Sequence, residues 1–443
     1  MKEAKGRLAD DQQKRGSPSD IGMPHVRRAL QPDRDARVFL RVLNLATGIR
    51  PVENYSLRQL RQVWRLTAFA LGSKPLVGTV TNLEIEGPGG PLALRLFNPR
   101  PAGEPLPAFV WCHGGGFMVG GLDTAEPICR SIAHQAGCIT IAVRYRLAPE
   151  HNLLAGREDF LAALEWIAEH GASLGIDTSR LAIGGDSAGG NISAAVAQEA
   201  LRRGGPALCL QVLAYPATDL LQQFPSYAEN ASGYLVTDTL LERIQQSVAG
   251  SLETLDPTTP WLSPRRNPDL RGLPPALVIS AGFDPIRDDG LDYSARLRAA
   301  GVSVELLHFA GQFHGFLNFD MVLGAGREAL QQISAALAAV FRNQPAPDRT
   351  LEIAEQQAAT ASAMCVAMGE LATACLVTSM ATAGWSDTLL RQLSPKAARV
   401  SRLLLAPWLS PARLMRRVLT AHLNPLTAEQ TYPHLIDCQG VRP

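Results

Sequence analysis

Short apolar runs alternate with helix-length amphipathic segments through the middle of the chain. Gly and Pro bound many of these runs, as is typical of buried strands between turns. The alternation predicts an α/β fold in which a mostly parallel sheet carries helices on both faces. The predicted strands lie at residues 108–112, 138–143, 181–184, 208–214, 276–281 and 304–309, and the predicted helices at 158–170, 191–203, 291–300 and 327–342.

The pattern differs on the N-terminal side of this region. Residues 33–71 place apolar side chains at helical spacing and predict two amphipathic helices. Residues 79–85 and 92–97 are apolar runs separated by a Gly-Pro-Gly-Gly turn, which predicts a β-hairpin. Residues 220–262 interrupt the alternation and could form a helical lid together with the N-terminal helices.

These patterns divide the chain into four parts. Residues 1–31 are charged, polar or small and predict a disordered lead. Residues 32–75 form a helical cap, and residues 76–343 form the α/β domain. A shift to Pro and polar residues at 343–350 predicts a linker, which leads into a helical C-terminal appendage of unknown role at 351–443.

Composition and charge describe a globular protein without a broad electrostatic signature. The 42 Lys and Arg residues balance 41 Asp and Glu residues, which gives no reason to expect nucleic acid as a partner. The 7 cysteines form no CxxC pair and no His-paired spacing, so we expect no metal site and a reducing cytoplasm. The start of the chain lacks the apolar core of a secretory signal, which also favours the cytoplasm.

A Gly-Asp-Ser-Ala-Gly motif centres on Ser187, directly after a predicted strand and before a predicted helix. A tight strand-to-helix turn needs small flanking residues, because larger side chains would collide, and it leaves the serine hydroxyl exposed. The motif alone is weak, since an ordinary Gly-rich turn can match it. It predicts a nucleophilic serine only when companion residues are present.

The first companion is a His-Gly-Gly-Gly-Phe motif at residues 113–117, which follows another predicted strand. Acyl transfer develops negative charge on a carbonyl oxygen, and backbone N–H groups stabilise it where no side chain blocks their approach. We therefore expect the amides of Gly115, Gly116 and Ala188 to form an oxyanion hole. The alternative is a flexible loop, and we expect His113 to shape this loop without acid–base chemistry.

The acid that orients the base should follow a strand at the carboxyl edge of the sheet, where α/β folds place their sites. Asp284 comes directly after the predicted strand at 276–281 and meets this condition. Asp288, Asp289 and Asp292 are rivals, but they lie near the start of the next helix. We expect these three to be solvated charges that favour the helix dipole.

The general base should come last, in the order Ser, acid, His. His308 lies inside a predicted strand, so we expect it to be satisfied in the core or to face solvent. His314 lies past the strand end among glycines, which suits a loop that presents an imidazole to the serine. A lone loop histidine is more often structural, and only its combination with the elbow and the glycine loop predicts His314 as the base.

Together these motifs resemble the hormone-sensitive-lipase-like esterases, the bacterial family IV group of α/β hydrolases, over residues 87–319. The resemblance also includes Tyr-Arg-Leu-Ala-Pro-Glu at 145–150 and Asp-Pro-Ile-Arg-Asp-Asp-Gly at 284–290. It implies a triad of Ser187, Asp284 and His314, an oxyanion hole from the glycine loop, a cap from the N-terminal helices, and esters with short to medium acyl chains.

The chain departs from the family pattern at two places. The prolines that usually follow the Tyr-Arg-Leu-Ala-Pro-Glu-His segment are replaced by Asn-Leu-Leu-Ala-Gly at residues 152–156, so the shape of this loop and the substrate preference are open. Asp289 replaces the more usual Glu, a change that we expect to be mild because it leaves Asp284 and its turn intact.

The predicted activity is that of a serine carboxylesterase that hydrolyses small-molecule esters through an acyl-enzyme, without a metal or an organic cofactor. An amidase or a lactonase would use the same triad, and a catalytically silent ligand-binding relative would keep the same fold. The natural ester and the oligomeric state stay open.

The C-terminal segment gives weaker signals. Residues 361–384 are small and apolar, with Glu370 as their one charge, and favour a helix packed in protein over a membrane span. Residues 391–417 carry basic side chains among apolar ones and no acidic side chain. Peripheral contact with an anionic membrane is one interpretation of this stretch, and a solvated helical face is favoured over it.

Overall fold

The computed structural model describes residues 22–49, 54–221, 223–354 and 436–437. Strands and helices alternate along most of this length. In chain order the elements are α1 (Arg34–Ile49), α2 (Leu57–Leu71), β1 (Thr79–Gly87), β2 (Gly90–Asn98), β3 (Leu106–Cys112), α3 (Leu122–Ala136), β4 (Ile139–Val143), α4 (Leu153–His170), β5 (Ile176–Asp186), α5 (Ala188–Arg203), β6 (Leu208–Ala214), α6 (Pro225–Glu229), α7 (Asp238–Thr254), β7 (Ala276–Phe283), α8 (Arg287–Ala299), β8 (Val304–Phe313), α9 (Gly324–Val340), β9 (Arg349–Ile353) and β10 (Ile436–Asp437).

The strands of the described residues form one sheet in the order β1-β2-β4-β3-β5-β6-β7-β8-β9-β10. The predicted hairpin is present, since β1 pairs antiparallel with β2, and β2 pairs antiparallel with β4. From β4 through β3 to β9 the neighbouring strands pair parallel, and β10 adds antiparallel to β9. The predicted α/β fold with a mostly parallel sheet is confirmed.

The central strands are buried over their whole length, because the sheet packs on both faces. Every residue of β3, β4 and β7 is buried. Successive residues point to opposite faces: Ala108 and Val110 join one apolar cluster, and Phe109 and Trp111 join the other. Two close-packed cores therefore fix the positions of the strand ends.

The two helices predicted in residues 33–71 are present as α1 and α2. Ser56 caps α2, because its hydroxyl accepts a hydrogen bond from the Gln59 amide while the Gln59 side chain accepts one from the Ser56 amide. In α1, the Phe39 ring packs on Phe313 and Phe319 at centroid distances of 5.4 and 4.7 Å. The first helix of the expected cap is thereby attached to the end of β8.

The predicted disorder of residues 1–31 is wrong for residues 22–31. Ala29 N donates to Ala310 O at 3.0 Å, and the Nε2 atom of His308 lies 3.1 Å from Arg27 O. This polar segment is ordered because β8 and its buried imidazole supply hydrogen-bond partners, which no local sequence pattern reveals. The earlier part of the lead lies outside the described residues.

The predicted boundary near residue 350 is also wrong. Arg349–Ile353 forms β9, which pairs parallel with β8 from Glu305 to Phe309. Leu351 and Ile353 are buried against the core, so the sheet continues past the expected linker. Residues 355–435, which contain most of the predicted appendage with its apolar and basic stretches, lie outside the described residues.

Helix α3 is absent from the sequence-based prediction. Pro127 lies inside it and interrupts the expected helical signal, although Ile128 and Ile132 pack on the core beneath the helix. Gly137 ends α3 in a left-handed conformation with a φ of 66°. Within residues 22–354, as far as they are described, no helix has both the length and the apolarity that a membrane crossing requires.

Residues 220–262, where the sequence suggests an addition to the cap, contain α6 and α7. Arg243 of α7 donates from Nη2 to Tyr55 O at 2.6 Å, next to the start of α2. Ser247 Oγ lies 3.3 Å from Met118 Sδ, in the loop after β3. Helix α7 therefore contacts both the N-terminal helical region and the glycine loop.

His308 is a fully buried, neutral histidine in β8. Its Nδ1 atom lies 3.1 Å from Ser280 Oγ, and its Nε2 atom contacts the backbone of the ordered N-terminal segment. Burial lowers the pKa of His308 to about 4, because a charged imidazole would lose its hydration there. The sequence-based alternative of a core-satisfied histidine is thus the one observed.

We predict that His308 makes the fold less stable as the pH falls from about 6.5 to about 4. In this window the unfolded chain takes up a proton that folded His308 does not bind, so the stabilisation is complete above pH 6.5 and lost toward pH 4. The effect should be on the order of 3 kcal/mol. Urea unfolding of the parent and His308→Gln at several pH values should show a shallower decline for the variant, and equal slopes would contradict the assignment.

Candidate active site

Ser187 lies in a tight turn between β5 and α5. Its backbone has a φ of 57° and a ψ of −118°, a conformation that residues other than glycine rarely adopt. A Cβ atom at Gly185 would lie 2.4 Å from Cys112 O, and one at Gly189 would lie 2.1 Å from the same oxygen. The motif needs glycine at both positions because the backbone of β3 passes directly beside the turn.

The three predicted triad residues are hydrogen-bonded in series. The Nε2 atom of His314 lies 2.8 Å from Ser187 Oγ, and its Nδ1 atom lies 2.8 Å from Asp284 Oδ2. Asp284 is fully buried, and its Oδ1 atom accepts a hydrogen bond from Ile286 N at 2.8 Å. This arrangement allows the imidazole to take a proton from the hydroxyl while the carboxylate faces the other ring nitrogen.

Two side chains that the sequence did not indicate support this series. The Tyr215 ring packs on the His314 imidazole at a centroid distance of 4.8 Å. Asn230 donates from Nδ2 to the backbone oxygen of Asp284 at 3.0 Å. Tyr215 follows β6 and Asn230 follows α6, and neither lies in a recognisable sequence motif. Their contacts with the site are therefore visible only in the folded structure.

The rival carboxylates have other partners. Asp288 pairs with Arg287 at 2.8 Å, and Asp292 pairs with Arg265 at 2.5 Å. Asp289 is fully buried, and burial raises the pKa of its carboxyl well above the usual value. The expectation of solvated charges is wrong for all three, because α8 starts against the core.

The glycine loop follows β3 and curves over the elbow. Gly115 and Gly116 have φ values of 118° and 58°, which glycine adopts without strain. A Cβ atom at Gly115 would lie 2.3 Å from Val119 O, in a turn where the amides of Met118 and Val119 donate to Gly115 O. The loop is therefore a defined turn, in contrast to the flexible alternative.

His113 is buried at the base of this loop. Its Nδ1 atom lies 2.9 Å from Gly114 O, and its ring stacks on Tyr145 at 4.3 Å between centroids. Burial lowers the pKa of His113 to about 4, so the ring is neutral near pH 7. The contacts fit the expected role of His113 in shaping the loop.

Asp186 is the most important residue that the sequence reasoning missed. Its Oδ1 atom accepts a hydrogen bond from Gly114 N at 2.8 Å, and its Oδ2 atom accepts one from Asn318 Nδ2 at 3.3 Å. Asp186 thus joins the elbow to the glycine loop and to the turn after His314. The available signal was an acidic residue at the buried end of a strand, next to Ser187.

Residues 235–244, which include the start of α7, lie against the glycine loop and the loop of His314. The Cδ1 atom of Ile244 lies 2.6 Å from the position that a Cβ atom on Gly116 would occupy, and Leu235 lies 3.3 Å from the corresponding position on Gly315. Apolar side chains therefore cover the loops on the side of the lid. Within the described part of the chain, no group of three His, Cys, Asp or Glu side chains is placed to hold a metal ion.

The strand-turn-helix elbow, the hydrogen-bonded series and the parallel sheet define an α/β hydrolase. A family model described as alpha/beta hydrolase fold matches residues 109–318. The chain is 46% identical over 250 residues to the carboxylesterase NlhH of Mycobacterium tuberculosis, covering 56% of this chain and 77% of the relative. It is 41% identical over 264 residues to the esterase LipI of the same organism, covering 59% and 82%.

Solved structures agree with these relatives. A hyperthermophilic esterase from the archaeon Pyrobaculum calidifontis superposes with a TM-score of 0.65 at 34% identity, covering 71% of this chain and 99% of that chain. The chain belongs to the hormone-sensitive-lipase-like esterase family of the α/β hydrolases. It is a carboxylic ester hydrolase, and the predicted serine carboxylesterase activity is confirmed.

Glycine at position 189 is required by contact with β3. We predict that Gly189→Ala lowers the free energy of unfolding by about 1–3 kcal/mol and lowers esterase activity, because the new methyl group displaces the strand or the elbow. Gly250→Ala is the matched control, since a Cβ atom at Gly250 in α7 meets nothing within 4 Å. The control should be neutral or slightly stabilising. Equal effects of the two substitutions on thermal unfolding would refute the argument.

Proposed function

We propose that Ser187, His314 and Asp284 are the catalytic triad of this esterase, and that its substrates are esters with short to medium acyl chains. The observation that supports the triad is the series of 2.8 Å hydrogen bonds from Asp284 through His314 to Ser187. A nucleophile, a base and an orienting acid in contact are the geometry that nucleophilic acyl transfer requires.

In the first step His314 removes the proton from Ser187 Oγ as this oxygen attacks the ester carbonyl carbon. The buried carboxylate of Asp284 stabilises the imidazolium that forms. The carbonyl oxygen becomes negatively charged, and the amides of Gly115, Gly116 and Ala188 are proposed to donate hydrogen bonds to it.

In the second step the carbon–oxygen bond to the alcohol breaks, and the leaving alcohol receives the proton from His314. Water then attacks the acyl-enzyme while His314 takes one of its protons. Release of the carboxylic acid returns that proton to Ser187. The scheme uses only groups of the chain and the two substrates, ester and water.

We predict that Ser187→Ala lowers turnover of p-nitrophenyl butyrate by about 10⁴-fold or more, because triad members act as a unit. Ser193→Ala, on the helix that follows Ser187, is a matched control, since the buried Ser193 hydroxyl has no hydrogen-bond partner among the described residues. The control should keep its activity. Substantial activity in Ser187→Ala would remove Ser187 from the role of nucleophile.

The contact of α7 with the glycine loop supports a limited substrate size. Ile244 lies directly against Gly116, next to the proposed position of the oxyanion. A longer acyl or alcohol group must pass this side chain or displace α7. The size of Ile244 is therefore proposed to restrict the ester.

We predict that Ile244→Ala raises kcat/KM for p-nitrophenyl octanoate relative to the acetate by roughly 10-fold, because each methylene in an apolar pocket contributes a factor of this order. Gln245→Ala, on the exposed side of the same helix, is the control and should leave the ratio unchanged. An unchanged ratio in Ile244→Ala would show that another part of the lid sets the acyl length.

A further inference from the structure

Arg157 is a buried cation without a counter-ion. This residue of α4 has no exposed surface, and among the described residues no ion pair joins it to a carboxylate. Its guanidinium donates to Leu153 O at 2.6 Å, to Asn191 Oδ1 at 2.5 Å and to Leu262 O at 3.3 Å. All three acceptors are neutral, and within the described part of the chain its Nε atom has no partner.

Such a group is costly for the fold. A buried charge without an opposite charge loses its hydration and regains little of it from neutral acceptors. Burial lowers the pKa of Arg157 to about 10, so the side chain still carries its charge near pH 7. Replacement by an apolar side chain of similar length would remove this cost. The placement of the charge therefore calls for a functional explanation.

Arg157 contacts both segments that carry the proposed oxyanion donors. Its guanidinium carbon lies 5.3 Å from the centroid of the Phe117 ring, a cation–π contact. Phe117 directly follows Gly116 and has a φ of 61°, a strained conformation that its surroundings must hold in place. On the other side, Asn191 belongs to the first turn of α5, and its backbone N–H donates to Ser187 O at 3.1 Å.

The charge of Arg157 is opposite to that of Asp186, the last residue of β5, which is hydrogen-bonded to the start of the glycine loop. Burial and then the charge of Asp186 raise the pKa of the thiol of Cys112, the last residue of β3, whereas the charge of Arg157 lowers it, so both charges act on this thiol. Asp186 is hydrogen-bonded to Gly114, so its negative charge disfavours an oxyanion nearby. Arg157 supplies the positive charge that offsets it.

Two titratable groups that act on Arg157, Cys112 and Tyr145, add no negative charge beside it. Burial raises the pKa of both Cys112 and Tyr145 well above their usual values, so neither group is an anion near pH 7. Arg146, in the loop between β4 and α4, pairs with Asp159 of α4 at 2.8 Å and thereby uses a nearby carboxylate. The positive field of Arg157 thus extends toward the glycine loop.

We propose that Arg157 is a positioning residue of the oxyanion site, which fixes Phe117 and α5 and whose charge favours the negative oxygen of the transition state. This inference rests on the proposed function, because it assumes that the oxyanion forms beside Gly115, Gly116 and Ala188. It assigns a role in the reaction to a residue that does not touch the substrate.

The test compares Arg157→Met and Arg157→Lys with the full-length parent enzyme. We expect Arg157→Met to lower kcat for p-nitrophenyl butyrate by roughly 10- to 50-fold with KM changed less than about 3-fold, because the lost interaction belongs to the transition state. A boronic acid inhibitor, which mimics the tetrahedral oxyanion, should bind more weakly by a similar factor. The melting temperature should stay the same or rise, since an uncompensated charge is removed.

Arg157→Lys and one control variant test whether the charge at this position is what matters. Arg157→Lys keeps the charge and should recover part of kcat and of the boronic acid affinity. Arg202→Met removes a charge of the same sign from an exposed position on α5 and should change neither quantity. The proposal is overturned if kcat in Arg157→Met stays within about 2-fold of the parent. It is also overturned if kcat and melting temperature fall together and lysine restores neither.

Labelling with a fluorophosphonate separates this inference from the proposed function. A parent enzyme whose Ser187 reacts with the probe supports the triad, whatever the Arg157 variants do. A parent enzyme that is not labelled at Ser187 would contradict the triad itself. With labelling intact, the kinetic results on Arg157 bear only on the positioning role.

Discussion

The carboxyl ends of parallel strands meet at one edge of the sheet, and the geometry of the site depends on this constraint. β3 ends before the glycine loop, β5 before the elbow, β7 before Asp284 and β8 before His314. Because both faces of these strands are buried, each loop starts from a fixed backbone position. Three chain segments far apart in sequence therefore come within hydrogen-bond distance.

The N-terminal segment adds a second restraint at the histidine loop. Asp33 N donates to Gly311 O at 2.9 Å, and Gln312 Nε2 donates to Asp33 Oδ2 at 2.6 Å. Arg61 of α2 donates to Met118 O at 2.8 Å and pairs with Glu150 at 2.7 Å, so it joins the glycine loop to the loop after β4. The segment and helices that precede the sheet thus contact two of the loops that carry the candidate site residues.

The sequence predicts the triad because each member lies in a short motif after a strand, where local pattern and topology agree. Tyr215 and Arg157 act through contacts that only the packed chain creates, and their neighbours in sequence give no sign of them. Asp186 lies inside the motif of Ser187, but its contact with Gly114 appears only in the packed chain. Dependence on contacts made only in the packed chain also explains why the sequence-based prediction of three elements was wrong. Strand β9 is short and needs β8 as a partner, α3 contains Pro127, and the N-terminal segment is ordered by its contacts with β8.

Backbone strain is concentrated around the site. Ser187, Phe117 and Tyr215 all have positive φ values, of 57°, 61° and 35°, and each such residue costs about 1–3 kcal/mol. Each makes a backbone hydrogen bond with a neighbouring segment: Ser187 N donates to Ala214 O at 2.9 Å, Tyr215 N donates to Ile279 O at 2.6 Å, and Phe117 O accepts from Ala148 N at 2.9 Å. The strained residues persist because the adjacent carboxyl-terminal parts of β6 and β7 are buried. A cavity in this core would therefore relax the elbow before it unfolded the domain, and activity would be lost at a smaller destabilisation than the fold itself tolerates.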